Sequence, residues 1–421
     1  MEQASPAAVY RPRHPEHTVF YRLFEHQFER YLQVYEERFE PRHGPMRRVV
    51  QPAVEAYLAC GRLKGGFARI RCPDCRAEHL LAFSCQTRNF CPSCQAKRSA
   101  LFAEKLVTEI LEQVPHRHVV LTIPRVLRGL FERERRLLGL LARSARDALM
   151  ASYRAILDRP DVQPGLVVSI QTFGSYAANF HPHLHVLLTD GAFTAEGEFH
   201  ELPYFDARLV EEVFRRRVLH RLHRAERLSE RFLRSLLGWV HSGFSVFGEQ
   251  RVGEDDPAGT ERFARYLTRA PIALDRLVPA GAARVRVTTP PDPRTGSTEL
   301  SLDVLDWIHA ITTQIPDRGQ HLVRYYAWYS NRSRGARRGP GVARPVGPQE
   351  DLQPAARPSR ASWARLLLRI FEVDPLICAA CGTEMKIVSV ITEPAVVDAI
   401  LGHLARTGGR DPFEGRAPPA A

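Results

Sequence analysis

Apolar positions recur along the chain with two different periods, and these periods predict interleaved helices and strands. Spacings of three and four residues, as in Phe20, Phe24 and Phe28, are typical of helices. Segments with this spacing lie at 16–60, 101–111, 128–157, 206–240, 261–269 and 303–315. Short apolar runs predict strands at 118–124, 166–173, 183–189 and 284–288.

The connection between the strands at 166–173 and 183–189 is too short to hold a crossover helix. We therefore expect antiparallel neighbours and an α+β fold, in which helices flank a largely antiparallel sheet. The predicted regions are an N-terminal helical and cysteine-rich domain (1–105), a central domain (115–331), a flexible Arg-, Pro- and Gly-rich linker (332–362) and a C-terminal element (363–421).

Two histidines at alternate positions of one predicted strand are the first candidate for chemistry. Side chains repeat with period two along a strand, so His183 and His185 lie on one face. Leu184, Val186 and Leu188 lie on the other face and predict a core there. Two neutral imidazoles side by side form half of a divalent metal site, although a pair of surface histidines is the alternative. Gln171, on the neighbouring strand, could reach the same ion.

Six of the eight cysteines lie between residues 60 and 94. Cys72, Cys75, Cys91 and Cys94 form two C-x2-C knuckles, and their spacing predicts one structural zinc ion held by these four thiolates. Two alternatives remain for Cys60 and Cys85. They are buried small apolar residues, which we favour, or they join His79 in binding a second ion.

The last two cysteines, Cys378 and Cys381, form a lone knuckle far downstream. No cysteine follows it, and His403 is the one later histidine. A closed zinc site here needs ligands from elsewhere, such as Cys60 and Cys85. A knuckle that no longer holds metal is the other interpretation, and the sequence does not decide between them.

The charge balance indicates a polyanionic partner. The chain has 59 Lys and Arg against 47 Asp and Glu, a net charge of +12, and almost all of the cations are arginines. The guanidinium group suits phosphate oxygens. A GC-rich genome would explain why arginine replaces lysine, but it would not explain the net excess. DNA is therefore an expected partner.

No apolar run is long enough to span a membrane, and the first residues carry no apolar secretion signal. We therefore expect a cytoplasmic protein without membrane partners. A reducing compartment favours metal ligation or burial for the cysteines over disulfide bonds.

Six motifs follow one another over nearly the whole chain. They are FCPSC at 90–94, QTFG at 171–174, HPHLH at 181–185, RYLTRAP at 265–271, HLVRYY at 321–326 and the knuckle at Cys378 and Cys381. Together and in this order they resemble the rolling-circle insertion-sequence transposases, which are HUH-superfamily enzymes with an N-terminal zinc-binding domain.

The resemblance implies that His183 and His185 hold Mg²⁺ or Mn²⁺ on the scissile phosphate and that Tyr266 attacks phosphorus. The products would be a 5′-phosphotyrosine link and a free 3′-OH at single-stranded or hairpin ends of a mobile element. Gln171 is the first candidate for a third ligand, ahead of His181 and Asp190. Many members carry an earlier tyrosine where this chain has Arg262, so the chain resembles a single-tyrosine branch.

Two other functions are compatible with parts of the sequence. The HPHLHVL segment also satisfies the pattern of histidine-triad nucleotide hydrolases, in which His183 would attack a phosphate without metal. That alternative gives a DNA-end repair enzyme with a zinc module, but it leaves Tyr266 unexplained. A non-catalytic zinc-dependent DNA-binding protein would make the histidine strand incidental.

Overall fold

The computed structural model describes residues 15–174, 179–281, 283–291, 295–338, 376–378 and 380–406. Its helices are α1 (Val19–Arg38), α2 (Glu40–His43), α3 (Val50–Leu58), α4 (Pro92–Lys105), α5 (Arg125–Arg133), α6 (Leu137–Ile156), α7 (Ala207–Arg224), α8 (Glu230–Leu237), α9 (Pro257–Leu267), α10 (Val304–Thr312), α11 (Asn331–Arg338) and α12 (Pro394–Arg406). Its strands are β1 (Phe67–Arg71), β2 (Glu78–Ala82), β3 (His116–Thr122), β4 (Gly165–Phe173), β5 (Phe180–Thr189), β6 (Gly191–Phe193), β7 (Phe199–Glu201), β8 (Ser245–Val252), β9 (Leu277–Pro279), β10 (Arg284–Thr288), β11 (Glu299–Asp303), β12 (Val323–Ala327) and β13 (Lys386–Ile391).

A five-stranded antiparallel sheet in the order β12-β4-β5-β3-β8 forms the centre of the structure. The predicted α+β fold with an antiparallel sheet is confirmed, and β4 and β5 are antiparallel neighbours as expected. Their register places Gln171 opposite His183 and Ser169 opposite His185. On the other side of β5, His185 lies opposite Val120 of β3.

The two faces of this sheet are covered by different helices. On one face Leu184, Val186 and Leu188 pack in a core with residues of α5, α6, α7 and α8. On the other face Val167 and Leu187 pack against α9 and α4. Because side chains alternate along β5, the histidines project toward the face that carries α9.

The N-terminal helices share their core with a later part of the chain. Phe20 and Phe24 of α1 contact Trp307 of α10 with ring centroids 5.6 and 5.8 Å apart. The same core includes Val285 and Val287 of β10, which belongs to the small sheet β11-β10-β9. Residues of 20–60 and 90–94 thus share one core with residues of 277–315.

A third sheet, in the order β13-β1-β2, attaches the C-terminal element to the cysteine-rich segment. Residues 331–338, at the start of the predicted linker, form α11, and residues 339–375 lie outside the described residues. The predicted boundaries of the four regions stay predictions. Among the described residues, no helix combines the length and the apolar character needed to cross a membrane.

Candidate active site and metal centres

His183 and His185 are neighbours on the face of the sheet that carries α9. Both are buried, and their Nε2 atoms are 3.0 Å apart. An octahedral ion with ligand distances of about 2.1 Å has adjacent donor atoms about 3.0 Å apart. The pair therefore has the spacing of two adjacent ligands of one ion.

Hydrogen bonds orient both imidazoles for this use. Nδ1 of His183 lies 2.7 Å from the carbonyl oxygen of His181, which can only accept, so Nδ1 carries the hydrogen and Nε2 keeps its lone pair. Nδ1 of His185 lies 3.0 Å from Nε2 of His118. His118 in turn lies 3.0 Å from Oε1 of Gln250 through its Nδ1. Donation from His185 to His118 and on to Gln250 leaves the His185 Nε2 lone pair free for metal.

The sequence motifs did not indicate a functional role for His118 or Gln250. His116 and His118 alternate within β3 just as His183 and His185 do within β5, and this repeated spacing is the signal that was available. Gln250 lies on β8, a strand that the apolar pattern did not predict because half of its residues are exposed and only three are apolar.

Burial keeps these imidazoles neutral. Desolvation lowers the pKa of His183 to about 4, and it lowers the pKa of His185 and of His118 below the ordinary histidine range. Neutral imidazole is the form that binds metal. The pair is therefore ready to bind a divalent ion at neutral pH without first losing a proton.

Tyr266, near the end of α9, lies directly against the histidines. Its ring centroid is 5.0 Å from that of His185 and 5.8 Å from that of His118, both at nearly right angles. The side chain is still 38 % exposed. The structure thus brings together the three predicted catalytic residues, although they come from two separate segments.

The end of α9 is fixed by side chains from both sides. The last carbonyls of a helix lack partners within the helix. Here the carbonyls of residues 265–268 accept hydrogen bonds from four side chains. Ser99 and Gln95 of α4 bond to those of Arg265 and Thr268, Ser169 bonds to that of Leu267, and Gln171 bonds to those of Tyr266 and Leu267.

The side chain of Gln171 therefore forms hydrogen bonds that the sequence did not indicate. Its amide nitrogen lies 3.0 Å from the carbonyl oxygen of Tyr266, and its Oε1 lies 3.4 Å from Nε of Arg269. A guanidinium beside Oε1 opposes a second cation at that oxygen. These contacts restrain the end of α9 at Tyr266, and the metal ligation expected of Gln171 stays a prediction.

The three arginines near Tyr266 have different surroundings. The Arg269 guanidinium lies 4.5 Å from the Tyr266 ring centroid, and burial lowers its pKa. Arg265 forms an ion pair with Glu261, and Arg262 lies 3.6 Å from Asp256. Arg269 is thus the arginine placed to act on the tyrosine.

The aromatic segment at 325–329 lies mostly in the core. Tyr329 is fully buried, and its hydroxyl lies 2.8 Å from Nε2 of His116. Trp328 is buried and stacks on Phe193 with centroids 4.4 Å apart. Burial also raises the pKa of Tyr325 to about 12. These residues are poorly placed either to attack DNA or to stack on bases.

One group of four sulfurs lies where α3 ends and α4 begins. It consists of Cys60, Cys85, Cys91 and Cys94, with Sγ–Sγ distances of 3.6 to 3.8 Å. Tetrahedral zinc with Zn–S bonds of about 2.3 Å separates its sulfurs by about 3.8 Å. Backbone N–H groups donate to the sulfurs of Cys60 and Cys94 at 3.3 Å, as suits thiolates.

A second group joins distant parts of the chain. Cys72 lies 3.4 Å from Cys381 and Cys75 lies 3.4 Å from Cys378, in each case between Sγ atoms. These distances are too long for disulfide bonds. The group lies beside the β13-β1-β2 sheet, so an ion here would fasten the C-terminal element to the N-terminal region.

The predicted grouping of the cysteines is therefore wrong. Cys72 and Cys75 lie in one group and Cys91 and Cys94 in the other, so these four do not share an ion. Cys60 and Cys85 join the first group instead of packing as apolar residues, and His79 belongs to neither group. The lone knuckle pairs with Cys72 and Cys75, not with Cys60 and Cys85. Each knuckle folds locally as expected, but the partner of each was misassigned.

Two family models match separate parts of the chain. Residues 27–123 match a family model described as "Transposase zinc-binding domain", and residues 165–337 match one described as "Putative transposase". Both models describe transposases, and the chain belongs to the family of transposases that carry this zinc-binding domain. The first match contains the whole Cys60 group, and the second contains His183, His185 and Tyr266.

Two curated proteins resemble the transposase over most of its length. One is the transposase for insertion sequence element IS801 of Pseudomonas savastanoi pv. phaseolicola, 25 % identical over 83 % of this chain and 86 % of the relative. The other is a protein of Sinorhizobium fredii named "Putative transposase y4qJ", 27 % identical over 71 % of this chain and 79 % of the relative. No solved structure matches the chain.

The two cysteine groups of the transposase predict separable zinc losses. We expect the purified protein to retain two zinc ions per chain after mild chelation, because four-thiolate sites bind zinc tightly. Cys91→Ser should remove one ion and destabilise the N-terminal core, in which Cys91 is buried. Cys378→Ser should remove the other ion and release the C-terminal element. Metal analysis and urea unfolding would measure both effects, and a wild type that holds only one zinc ion, which either variant loses, would contradict two sites.

Proposed function

We propose that this transposase nicks single-stranded DNA at the ends of a mobile element by attack of the Tyr266 hydroxyl on phosphorus. The bond from the tyrosine oxygen to phosphorus forms as the bond from phosphorus to the 3′ oxygen breaks. The products are a 5′-phosphotyrosine link and a free 3′-OH, as rolling-circle transposition requires. The observation that carries this proposal is the packing of the partly exposed Tyr266 ring against His185.

His183 and His185 are the residues that would hold a catalytic Mg²⁺ or Mn²⁺ ion. Their adjacent Nε2 atoms and fixed tautomers suit an octahedral ion, as described above. When bound, such an ion offsets the charge that develops on a non-bridging phosphate oxygen. His118 acts through His185, whose ring it orients.

The protein positions the nucleophile by restraining the end of α9. Gln171 and Ser169 hold this end from the sheet, and Gln95 and Ser99 hold it from α4. Helix α4 begins beside Cys91 and contains Cys94. The Cys60 group therefore also supports Tyr266, because α4 connects its cysteines to the end of α9.

The proposed chemistry needs a single tyrosine. An exposed Arg262 occupies the position four residues before Tyr266 on α9, so this helix offers no second acceptor for the DNA strand. Covalent attachment conserves the energy of the phosphodiester bond, so the strand can be rejoined without ATP. Arg269, close to the Tyr266 ring, supplies positive charge beside the attacking group.

Labelled oligonucleotides test the proposal and its polarity. Single-stranded oligonucleotides with the element-end sequence would be incubated with the full chain and Mn²⁺, and the products separated under denaturing conditions. A 3′ label should migrate with the protein, and a 5′ label should appear in a shortened strand that a polymerase can extend. EDTA should abolish both products. A 5′ label on the protein would contradict the 5′-phosphotyrosine link, and no adduct at all would contradict the mechanism.

Binding to single-stranded DNA should depend strongly on salt. The net charge of +12 implies several arginine–phosphate contacts, and each contact releases counterions. With about four such contacts, raising salt from about 50 to about 200 mM should weaken affinity roughly 50-fold. Fluorescence anisotropy of a labelled oligonucleotide would measure this change. An affinity that stays constant over the range would exclude the electrostatic contribution.

A further inference from the structure

A cluster away from the histidine pair has donor atoms suited to a metal ion. Nitrogen atoms of His43 and His309 and a carboxylate oxygen of Glu132 all lie within 4.8 Å of one another. His43 is the last residue of α2, Glu132 lies on α5, and His309 lies on α10. None of the catalytic or cysteine residues described above belongs to this cluster.

His309 is buried in the core, and one of its two ring nitrogens has no hydrogen-bond partner among the described residues. Its Nδ1 lies 3.0 Å from the Tyr31 hydroxyl, and its ring stacks on Phe39 with centroids 4.6 Å apart. The side chain is 8 % exposed, and its buried Nε2 has no hydrogen-bond partner. Buried polar atoms rarely lack a hydrogen-bond partner, so the Nε2 atom of His309 is a candidate to bind a ligand.

The other two residues place further donor atoms beside the His309 ring. The His43 ring centroid is 4.2 Å from that of His309, and Nδ1 of His43 is 3.1 Å from Oε1 of Glu132. Both side chains are partly exposed, so an ion and a water ligand can reach the cluster from solvent. The nearby cation Arg47 is paired with Asp317 at 2.8 Å, which limits its repulsion of an ion.

We propose that His43, Glu132 and His309 bind a divalent transition-metal ion of the zinc class. Two imidazoles, one carboxylate and a water molecule form a common tetrahedral set for this ion. Bound there, the ion joins α2, which follows α1, and α10, which packs in the N-terminal core, to α5, which packs in the core of the central sheet. It therefore fastens the helical N-terminal region to the sheet that carries the histidine pair.

Zinc content and thermal stability test the proposal with the full chain. The protein would be treated with a mild chelator that spares the cysteine centres, then reloaded with Zn²⁺ and desalted. Glu132→Gln and His43→Asn should each contain one zinc ion fewer than the wild type. They should also gain less in Tm on zinc addition, because a ligand stabilises only the state that binds it. His26→Asn changes an exposed histidine of α1 and serves as the matched control.

Any zinc bound by the histidine pair is present equally in the wild type and in both variants, so it does not change the difference between them. The outcome therefore does not depend on nicking activity. Equal zinc content and equal Tm gains in the wild type and in both variants would overturn the proposal. Anomalous diffraction from zinc-loaded wild-type crystals gives a readout that needs no variant. A peak between His43, Glu132 and His309 is expected, and its absence would show that His309 is only a core residue.

Discussion

Tyr266→Phe should abolish the covalent protein–DNA adduct and lower nicking at least about 1,000-fold, because it removes the nucleophilic oxygen. The ring contacts with His185, His118 and Arg269 do not need the hydroxyl, so the packing should persist. Folding, zinc content and DNA affinity should therefore stay close to those of the wild type. Adduct formation on a labelled oligonucleotide and nicking rates would be measured together.

Tyr204→Phe is the matched control for this variant. Tyr204 is 60 % exposed and lies outside the site, so the same loss of a hydroxyl there should leave adduct formation unchanged. Other tyrosines that could attach to DNA, judged by sequence alone, are Tyr325, Tyr326 and Tyr329. Of these, Tyr329 is fully buried and hydrogen-bonded to His116. Residual adduct in Tyr266→Phe would mean that another residue acts as nucleophile.

His183→Ala and His185→Ala should each lower nicking by about 100- to 1,000-fold, the range seen when one stabilising group at a reaction centre is lost. One remaining imidazole cannot hold a weakly bound divalent ion in place. Because phosphate contacts elsewhere supply most of the affinity, DNA binding should survive. Nicking rates at several Mn²⁺ concentrations would separate a loss of metal affinity, which excess metal partly rescues, from a loss of folding.

His220→Ala, at an exposed histidine of α7, is the control for both histidine variants. Full nicking activity of the wild type in excess EDTA would contradict the metal-assisted mechanism. That result would instead favour the histidine-triad alternative, in which His183 attacks phosphate without metal. The position of Tyr266 against His185 is what that alternative leaves unexplained.

The sequence predicted the central strands β3, β4 and β5 well, because the residue pattern that marks a strand lies within the strand itself. A run such as β5 contains its own period-two pattern, so the face shared by His183 and His185 follows from the sequence alone. The pairing of β4 with β5 follows from their short connection. Strand β8 was missed because it lies at the sheet edge, where exposed residues such as Phe247 and Gln250 hide the alternation.

The partners of the cysteines could not be predicted, because they depend on tertiary structure. The C-x2-C spacing specifies that two sulfurs reach one ion, but it does not say which second pair completes the site. Cys72 and Cys381 are 309 positions apart, and they meet because β13 pairs with β1. The hydrogen bonds of Gln171 to the end of α9 could not be predicted for a related reason, since they depend on where that helix packs.

Peptide mapping of the wild-type adduct is the most direct test of the central claim. The protein would be trapped on a single-stranded element-end oligonucleotide, digested with nuclease and protease, and analysed by mass spectrometry. We expect the nucleotide remnant to lie on Tyr266, attached through a 5′ phosphate. A remnant on His183 or on any other residue would contradict the account, whatever the effect of substitutions on the rate.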